Sequence, residues 1–414
     1  MFPAYSVALS ALQADSTAID VVGNDLANLD TTGYKATEVE FEDLMAQSMG
    51  AGQNTAQVGM GVGPVCTVAN YSQGTITSTG GSTDVALQGS GFFVVKNSDG
   101  QTLYTRDGNF QVNASGTLST ATGETVQGWT AVNGVVNPNG PVSDLTIPTG
   151  VLIPATATTT MGLTANLDST TATGGTFTAP IKVIDSQGTS HTLSVNFKQT
   201  SANNWSYTVT IPSADLSKGG TTTLTSGTMT FDSSGNLTSP AASADPQTLK
   251  ITGLADGAAD MSIDWSLYNS DGSSKITQYD QTSGVGSTSQ NGVAAGQISS
   301  VALQTGGLVV ATYSNGQQVT VGQLAVASIP NPDGLLSVGN NNYETSASTG
   351  AISVGAADSG DRGQIVAGSL ESSTVDIADE FTRMLTYERS YQAASRVITT
   401  SDQLVQDTMN LIHP

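Results

Sequence analysis

Cysteine, histidine and charge are scarce in this chain. Its one cysteine, Cys66, cannot form an intramolecular disulfide, and its two histidines are His191, inside a predicted strand, and His413, next to the last residue. Cys66 and His191 lie far apart, and nothing near either resembles a nucleophile elbow or a cysteine-protease box, so a catalytic set is not expected. A zinc site needs three or four Cys, His or carboxylate ligands in a recognisable grouping, and the sequence shows none. No metal and no cofactor are expected. Charged residues make up 11% of the 414, against about 25% in ordinary globular chains, which leaves a surface of Thr, Ser, Asn, Gln and Gly. The formal net charge of −22, from 34 acidic and 12 basic residues, argues against a nucleic-acid or anionic-membrane partner. No stretch approaches the ~20 apolar residues that would span a bilayer, so membrane insertion is not expected. Residues 1–34 hold four Asp and no Lys or Arg. A cleaved secretory signal is therefore not expected, and export would rest on an uncleaved signal of another kind.

What the chain does have is a heptad repeat at each end. At the front, Tyr5, Leu12, Ile19 and Leu26 recur every seven residues, with Ala8, Val22 and Leu29 at a second heptad position where Asp15 is the exception. At the back, Ile377, Met384, Tyr391, Ile398, Val405 and Ile412 recur in the same way. A seven-residue apolar repeat keeps its seam on one side of a helix only when that helix packs along another of similar pitch. Termini fray unless docked, so the two ends are expected to meet each other, neighbouring copies, or both. Residues 4–29 read as one amphipathic helix ended by Asn28–Gly33, and a second helix closes the chain from about 374 to 412. Ser373 and Asp376 predict a capping box at its start, with Asp in place of Glu or Gln. Arg383, Arg389 and Arg396 are candidates to pair with Asp15, Asp20 or Asp25.

Everything between reads as strand and turn. Turn signals at Asn97–Gly100, Asn113–Gly116, Asp185–Gly188, Asp232–Gly235 and Asn269–Gly272 separate segments rich in Val, Thr, Ile, Phe and Tyr, which predicts antiparallel sheet. Ile181, Val183, Leu193, Val195, Phe197, Trp205, Tyr207, Val209 and Ile211 alternate along their segments, giving each strand one buried face. The expected fold is mainly β with terminal α: the N- and C-terminal helices form a coiled-coil-like domain, with two nested antiparallel β domains between them. In residue terms, 1–29 and 373–414 form the helical domain and 30–69 a linker loop. Residues 70–150 with 285–372 form a discontinuous β domain, and 151–284 an inserted outer β domain. Ala46–Gly63 lacks periodicity and reads as a linker or adaptable loop, and Gly284–Gly296 as a return crossing.

Weaker signals resolve to bland readings. Asn97, Asp99 and Gly100 lack the further carboxylates and closing Glu of a calcium loop, so a hairpin turn is the better reading. Gly59–Gly63 leads into Pro64 rather than a helix bearing Lys and Ser or Thr, which leaves a phosphate cradle unsupported. Asp256 and Asp260 read as solvated turn residues, and Trp129, Trp205 and Trp265 as core.

The string Asn24, Asp25, Leu26, Ala27, Asn28, Leu29, Asp30, Thr31, Thr32, Gly33, Tyr34, Lys35 resembles the signature of the bacterial flagellar rod and hook axial proteins. Its motif residues here are Asn24, Ala27, Asn28, Gly33, Tyr34 and Lys35, and Asp25 stands where a second Asn is usual. Gly89–Phe93, Tyr104–Phe110, Gly123–Trp129, Asn331–Leu335 and Glu388–Gln392 are similar to further family motifs. Val183–Gly188, Leu193–Phe197 and Trp205 look like the middle domain of the hook branch, and rod members look shorter, although the 46–68 loop is similar to that of the distal rod branch. The resemblance implies a subunit exported unfolded through the flagellar type III export apparatus. It would assemble outside the cell into a curved, flexible tube that acts as a universal joint between rod and filament. The implied partners are copies of itself, the distal rod protein, the hook cap protein and the hook-filament junction protein. The terminal helices suit the inner wall. A secreted β-rich adhesin or surface-layer protein would share the composition but needs no terminal heptads, and a secreted hydrolase would need the missing catalytic groups.

Overall fold

The computed structural model describes residues 3–44, 47–49, 56–217 and 220–412. Met45, most of the 46–55 stretch, Lys218 and His413 lie outside the described residues, as does the Ile412 side chain. The chain forms two compact units, Met1–Thr149 with Ser300–Thr312 and Gln318–Pro414, and Gly150–Ser299 with Tyr313–Gln317. The fold is mainly β with one helix near each end, and no helix among the described residues is long and apolar enough to cross a membrane.

In the first unit, α1 (Pro3–Ala27) and α2 (Ile377–Ile412) pack along each other. Proline at the first helical position costs nothing, because its missing N–H would have no partner there. With 36 residues, α2 extends ~54 Å at ~1.5 Å per residue. It is capped by Asp376, whose Oδ1 accepts the N–H groups of Ala378 at 2.8 Å and Asp379 at 3.3 Å. The expected capping box is therefore corrected: Ser373 Oγ accepts only from Val375, because the helix starts at Ile377 and places Asp376 itself at the N-cap.

Strands Gln318–Leu324, Thr125–Thr130, Phe92–Lys96, Thr102–Thr105 and Asn342–Glu344 lie side by side in that order, all antiparallel. Alternation sends Phe92 and Val94 to one face and Phe93 and Val95 to the other, and all four are buried. Phe92 and Val94 pack with Tyr104, Trp129 and Tyr343, while Phe93 meets the Phe110 ring edge-on at 5.3 Å. The Asn97–Gly100 segment is a hairpin turn, with Asn97 Oδ1 accepting the N–H groups of Asp99 and Gln101.

The segment read as a linker loop is a long hairpin. Thr37–Glu40 pairs antiparallel with Cys66–Ala69, Asp43 bridges Val62, and Gln47–Met49 pairs with Ala56–Val58. The Val62 N–H donates to Ser10 Oγ of α1 at 3.2 Å, and Leu44 and Val62–Val65 border a groove with Ser10, Ala14 and Thr17. Backbone pairing needs no apolar alternation, so a Gly- and Gln-rich hairpin leaves little trace in composition.

The second unit is two sheets around one core. Thr176–Ile184, Ser190–Ser201, Asn204–Thr210, Thr223–Phe231 and Leu237–Ser239 form an antiparallel meander. The alternating residues from Ile181 to Ile211 are all buried, and Tyr207 meets Trp265 of the other sheet edge-on at 5.4 Å. That second sheet is mixed, a correction to the antiparallel expectation. Thr160–Asp168 runs parallel to Met261–Ser266 and Ile276–Tyr279 and antiparallel to Gly284–Gln290. Turn signals reveal hairpins only, and parallel neighbours joined by a long crossover carry no such mark. Gly284–Gln290, read as a crossing, is thus a strand; its side chains are mostly exposed, which hides it from an apolar-pattern reading.

Candidate functional site

The innermost line of α1 is Ala8, Asp15, Ala18, Val22 and Asp25, buried at alternating spacings of three, four or seven residues. This is the second heptad series of the sequence with its intervening positions, Asp15 included. Leu12, Ile19 and Leu26 lie half-buried on its flank, and Tyr5 is exposed. On α2, Met384 and Ile398 are half-buried, whereas Ile377, Tyr391 and Val405 are exposed. Leu12 and Tyr391 line one shallow groove together with Leu9. Small residues on the inner line let the helix axes approach closely, so the bulkier heptad residues fall to the side.

The helices leave many large apolar side chains uncovered. Leu9, Phe381, Leu385, Val397, Leu404 and Met409 are exposed besides Tyr5, Ile377, Tyr391 and Val405, and Phe381, Leu385 and Leu404 reach 51%, 55% and 63%. Large apolar side chains exposed at i, i+4 and i+8, as at Ile377, Phe381 and Leu385, mark a candidate interaction face.

The motif at the end of α1 fastens the two helices to the sheet. Asp25, fully buried, accepts from the Tyr34 hydroxyl at 2.7 Å and from the Thr37 N–H at 2.8 Å, and Asn24 Nδ2 donates to the same hydroxyl at 2.9 Å. Asn28 donates to the Asn24 carbonyl and accepts from Thr31, closing the helix end. Ala27 is exposed. Gly33 has φ +68°, and a Cβ there would lie 2.7 Å from the Arg106 carbonyl carbon, so only glycine fits. Its N–H donates to the Glu371 carbonyl at 2.7 Å. Lys35 Nζ is buried, 2.7 Å from Glu371 Oε1 and 2.6 Å from the Ser72 carbonyl oxygen. Glu371 Oε2 lies 3.3 Å from Arg106 Nη1, and the Arg106 guanidinium sits 5.1 Å from the centre of the Phe92 ring. Burial pulls the Lys35 and Arg106 pKa values down while Glu371 pulls both up, and burial wins in each case. Two charge pairs sharing one buried carboxylate thus connect the end of α1, the sheet and the approach to α2.

The arginines of α2 do not pair as expected. Arg383 Nη2 lies 2.9 Å from Glu38 and Nη1 3.8 Å from Glu380, while Arg389 and Arg396 make no ion pair among the described residues. The 37–69 hairpin brings Glu38 beside the first turns of α2, where Phe41 also meets Tyr387 at 5.9 Å, so it supplies the carboxylate in place of α1. Burial pushes the Asp25 carboxyl up, more than the Tyr34 and Thr37 hydrogen bonds draw it down. Burial likewise raises Glu380 against the pull of Arg383. Sequence reasoning assigned no role to Glu371 or to Arg106. The available signal was that a chain with only 12 basic residues places Lys35 at the end of one motif string and Arg106 inside another.

Comparison with known proteins matches four family models along the chain. They are described as Flagella basal body rod protein at residues 6–35 and Flagellar hook protein FlgE/F/G D1 domain at 86–166. The others are Flagellar basal body protein FlaE D2 domain at 152–293 and Flagellar basal body rod FlgEFG protein C-terminal at 366–411. Among similar proteins, the flagellar hook protein FlgE of Treponema pallidum is 32% identical, covering 97% of this chain and 98% of its own. The flagellar hook protein FlgE of Escherichia coli is 31% identical over 99% and 100%, and that of Rhizobium meliloti 33% over 97% of each. Similarity at this level over whole chains, with the motif residues seated as described, means that the chain belongs to the flagellar hook protein family, whose members are structural subunits and not enzymes.

Proposed function

We propose that this chain polymerises with copies of itself into the curved, flexible tube of the hook, a universal joint that carries torque from rod to filament outside the cell. The observation that carries this reading is the row of exposed apolar side chains on α1 and α2, from Leu9 to Met409. Fully burying such a side chain contributes ~1.5–3 kcal/mol, and contacts between unlike surfaces that do not close into a ring build a helical filament. Residues 1–29 and 373–414 would form the inner wall, packed coiled-coil fashion. Residues 30–69 would bridge outward, 70–150 with 285–372 form a middle β domain, and 151–284 the inserted outer one. Tyr5, Leu12, Ile19, Leu26, Ile377, Met384, Tyr391, Ile398, Val405 and Ile412 would divide between the partner helix and the next subunit. Export through the flagellar type III apparatus, and contacts with the distal rod, hook cap and hook-filament junction proteins, belong to the same reading. Electron microscopy of concentrated protein tests it. Native protein should form short curved tubes, and the double variant Phe381→Ser, Leu385→Ser should remain monomeric; tubes of normal length from that variant would refute the role given to this face.

A further inference from the structure

Four ionisable side chains of the second unit converge on one point. His191 and Asp185 are buried, and His191 Nε2 lies 3.0 Å from Asp185 Oδ2 and 3.6 Å from Asp256 Oδ2. On the other side of the ring, Nδ1 lies 3.2 Å from Asp215 Oδ2. Backbone geometry sets these positions. Asp185 opens the hairpin turn, and its Oδ1 accepts the N–H groups of Gln187 at 2.8 Å and Thr189 at 2.9 Å, which leaves Oδ2 turned to the ring. Asp215 ends a single turn of 3-10 helix, and its carbonyl accepts the Ala255 N–H at 2.9 Å. Leu216 and Leu254 form a bridge beside that bond, and Ser186 Oγ accepts the Ala259 N–H at 3.0 Å, so the loop bearing Asp256 is held over the turn. Among the described residues no Lys or Arg pairs with any of the three carboxylates.

We propose that Asp185 Oδ2, His191 Nε2 and Asp256 Oδ2 bind one divalent transition-metal ion, with Zn²⁺ the best match, and that Asp215 orients the histidine. Zinc bonds of ~2.0–2.2 Å in tetrahedral geometry put ligand atoms ~3.3–3.6 Å apart. The two separations measured from Nε2 bracket that spacing, and all three ligand atoms lie within 4.8 Å of one another. A ligating imidazole typically donates its other N–H to a carboxylate, which fixes tautomer and ring angle, and Asp215 stands in that place. One imidazole with two carboxylates suits zinc better than magnesium or calcium, which take oxygen ligands. Asp256 is exposed, so an ion can enter from solvent and keep water as its fourth ligand. The bound ion would staple the 185–191 turn to the 253–259 loop.

Calorimetric titration of Zn²⁺ into untagged full-length protein tests this, compared with Asp256→Asn, an exposed loop position whose folding is checked by melting without metal. The expected result is one site in the native protein that is at least tenfold weaker in Asp256→Asn, and a Zn²⁺-induced rise in melting temperature confined to the native chain. Asp215→Asn should retain the site with reduced affinity. X-ray absorption of the one-to-one complex should show only nitrogen and oxygen neighbours, including one imidazole. Equal stoichiometry and affinity in native and Asp256→Asn proteins, or sulfur scattering from Cys66, would overturn the proposal.

Discussion

The second unit and the helix pair treat apolar side chains in opposite ways. In the second unit Trp205, Trp265, Phe197, Leu163 and Leu193 are fully buried, each strand giving one face to a shared core. Along α1 and α2, small and acidic residues occupy the innermost line, while Leu9, Phe381, Leu385, Leu404 and Met409 stand in solvent. Buried polar atoms do not follow this division: Asp15 Oδ2 and Glu380 Oε2 in the helices are buried without a hydrogen-bond partner, and so are Gln199 Oε1 and the indole nitrogens of Trp205 and Trp265 in the second unit. One region covers its own apolar side chains, and the other leaves large apolar side chains exposed. A heptad pattern thus records association, but not which partner covers which face.

The comparison breaks most easily in the second unit. Trp265→Ala should destabilise it by ~3–5 kcal/mol through the cavity it leaves, seen as an earlier urea transition, while amide protection in α1 and α2 stays unchanged. Loss of helix protection in that variant would mean that the two regions do not hold independently. Glu371→Gln sharpens the other side, since it leaves Lys35 and Arg106 buried without their shared carboxylate. Removing one partner of a buried pair costs ~3–5 kcal/mol, and here the loss should fall on the first unit alone.

A smaller effect follows from pH. Asp25 and Glu380 have raised pKa values in the folded chain, so the folded state holds their protons more tightly than the unfolded state does. Stability of the helix region should therefore rise as pH falls from neutral through the raised values toward the ordinary carboxylate range near ~4, and level off below it. Slower amide exchange at the end of α1 and the start of α2 at pH 5 than at pH 7, after correction for intrinsic rates, is the expected sign. Asp25→Asn should flatten that dependence. The smallest effect on the monomer belongs to Phe381→Ser, which should change its stability by no more than ~0.5 kcal/mol while reducing assembly measured by pelleting.

Much of this was legible in the residues. The alternation from Ile181 to Ile211 gave the strand faces of the second unit, and the heptads gave two long helices at the ends. The Asn24–Lys35 string marked a special position, and Gly33, Tyr34 and Lys35 each make a specific contact there. What stayed hidden has a common physical origin. The Thr160–Asp168 parallel pairs and the Lys35–Glu371–Arg106 charges join segments far apart in sequence, and neither leaves a local periodicity. Gly284–Gln290 and the 37–69 hairpin are held through backbone hydrogen bonds rather than apolar side chains, so composition masked them. The buried line of α1 is small and partly acidic, and the eye goes first to the larger residues beside it.

Amide hydrogen exchange along Ile377–Ile412, measured in the monomer and in the assembled tube, tests the central claim most directly. If neighbouring copies cover the exposed faces of the helices, protection across α2 should rise strongly on assembly while protection within the second unit changes little. Equal protection of α2 in monomer and tube would contradict the account.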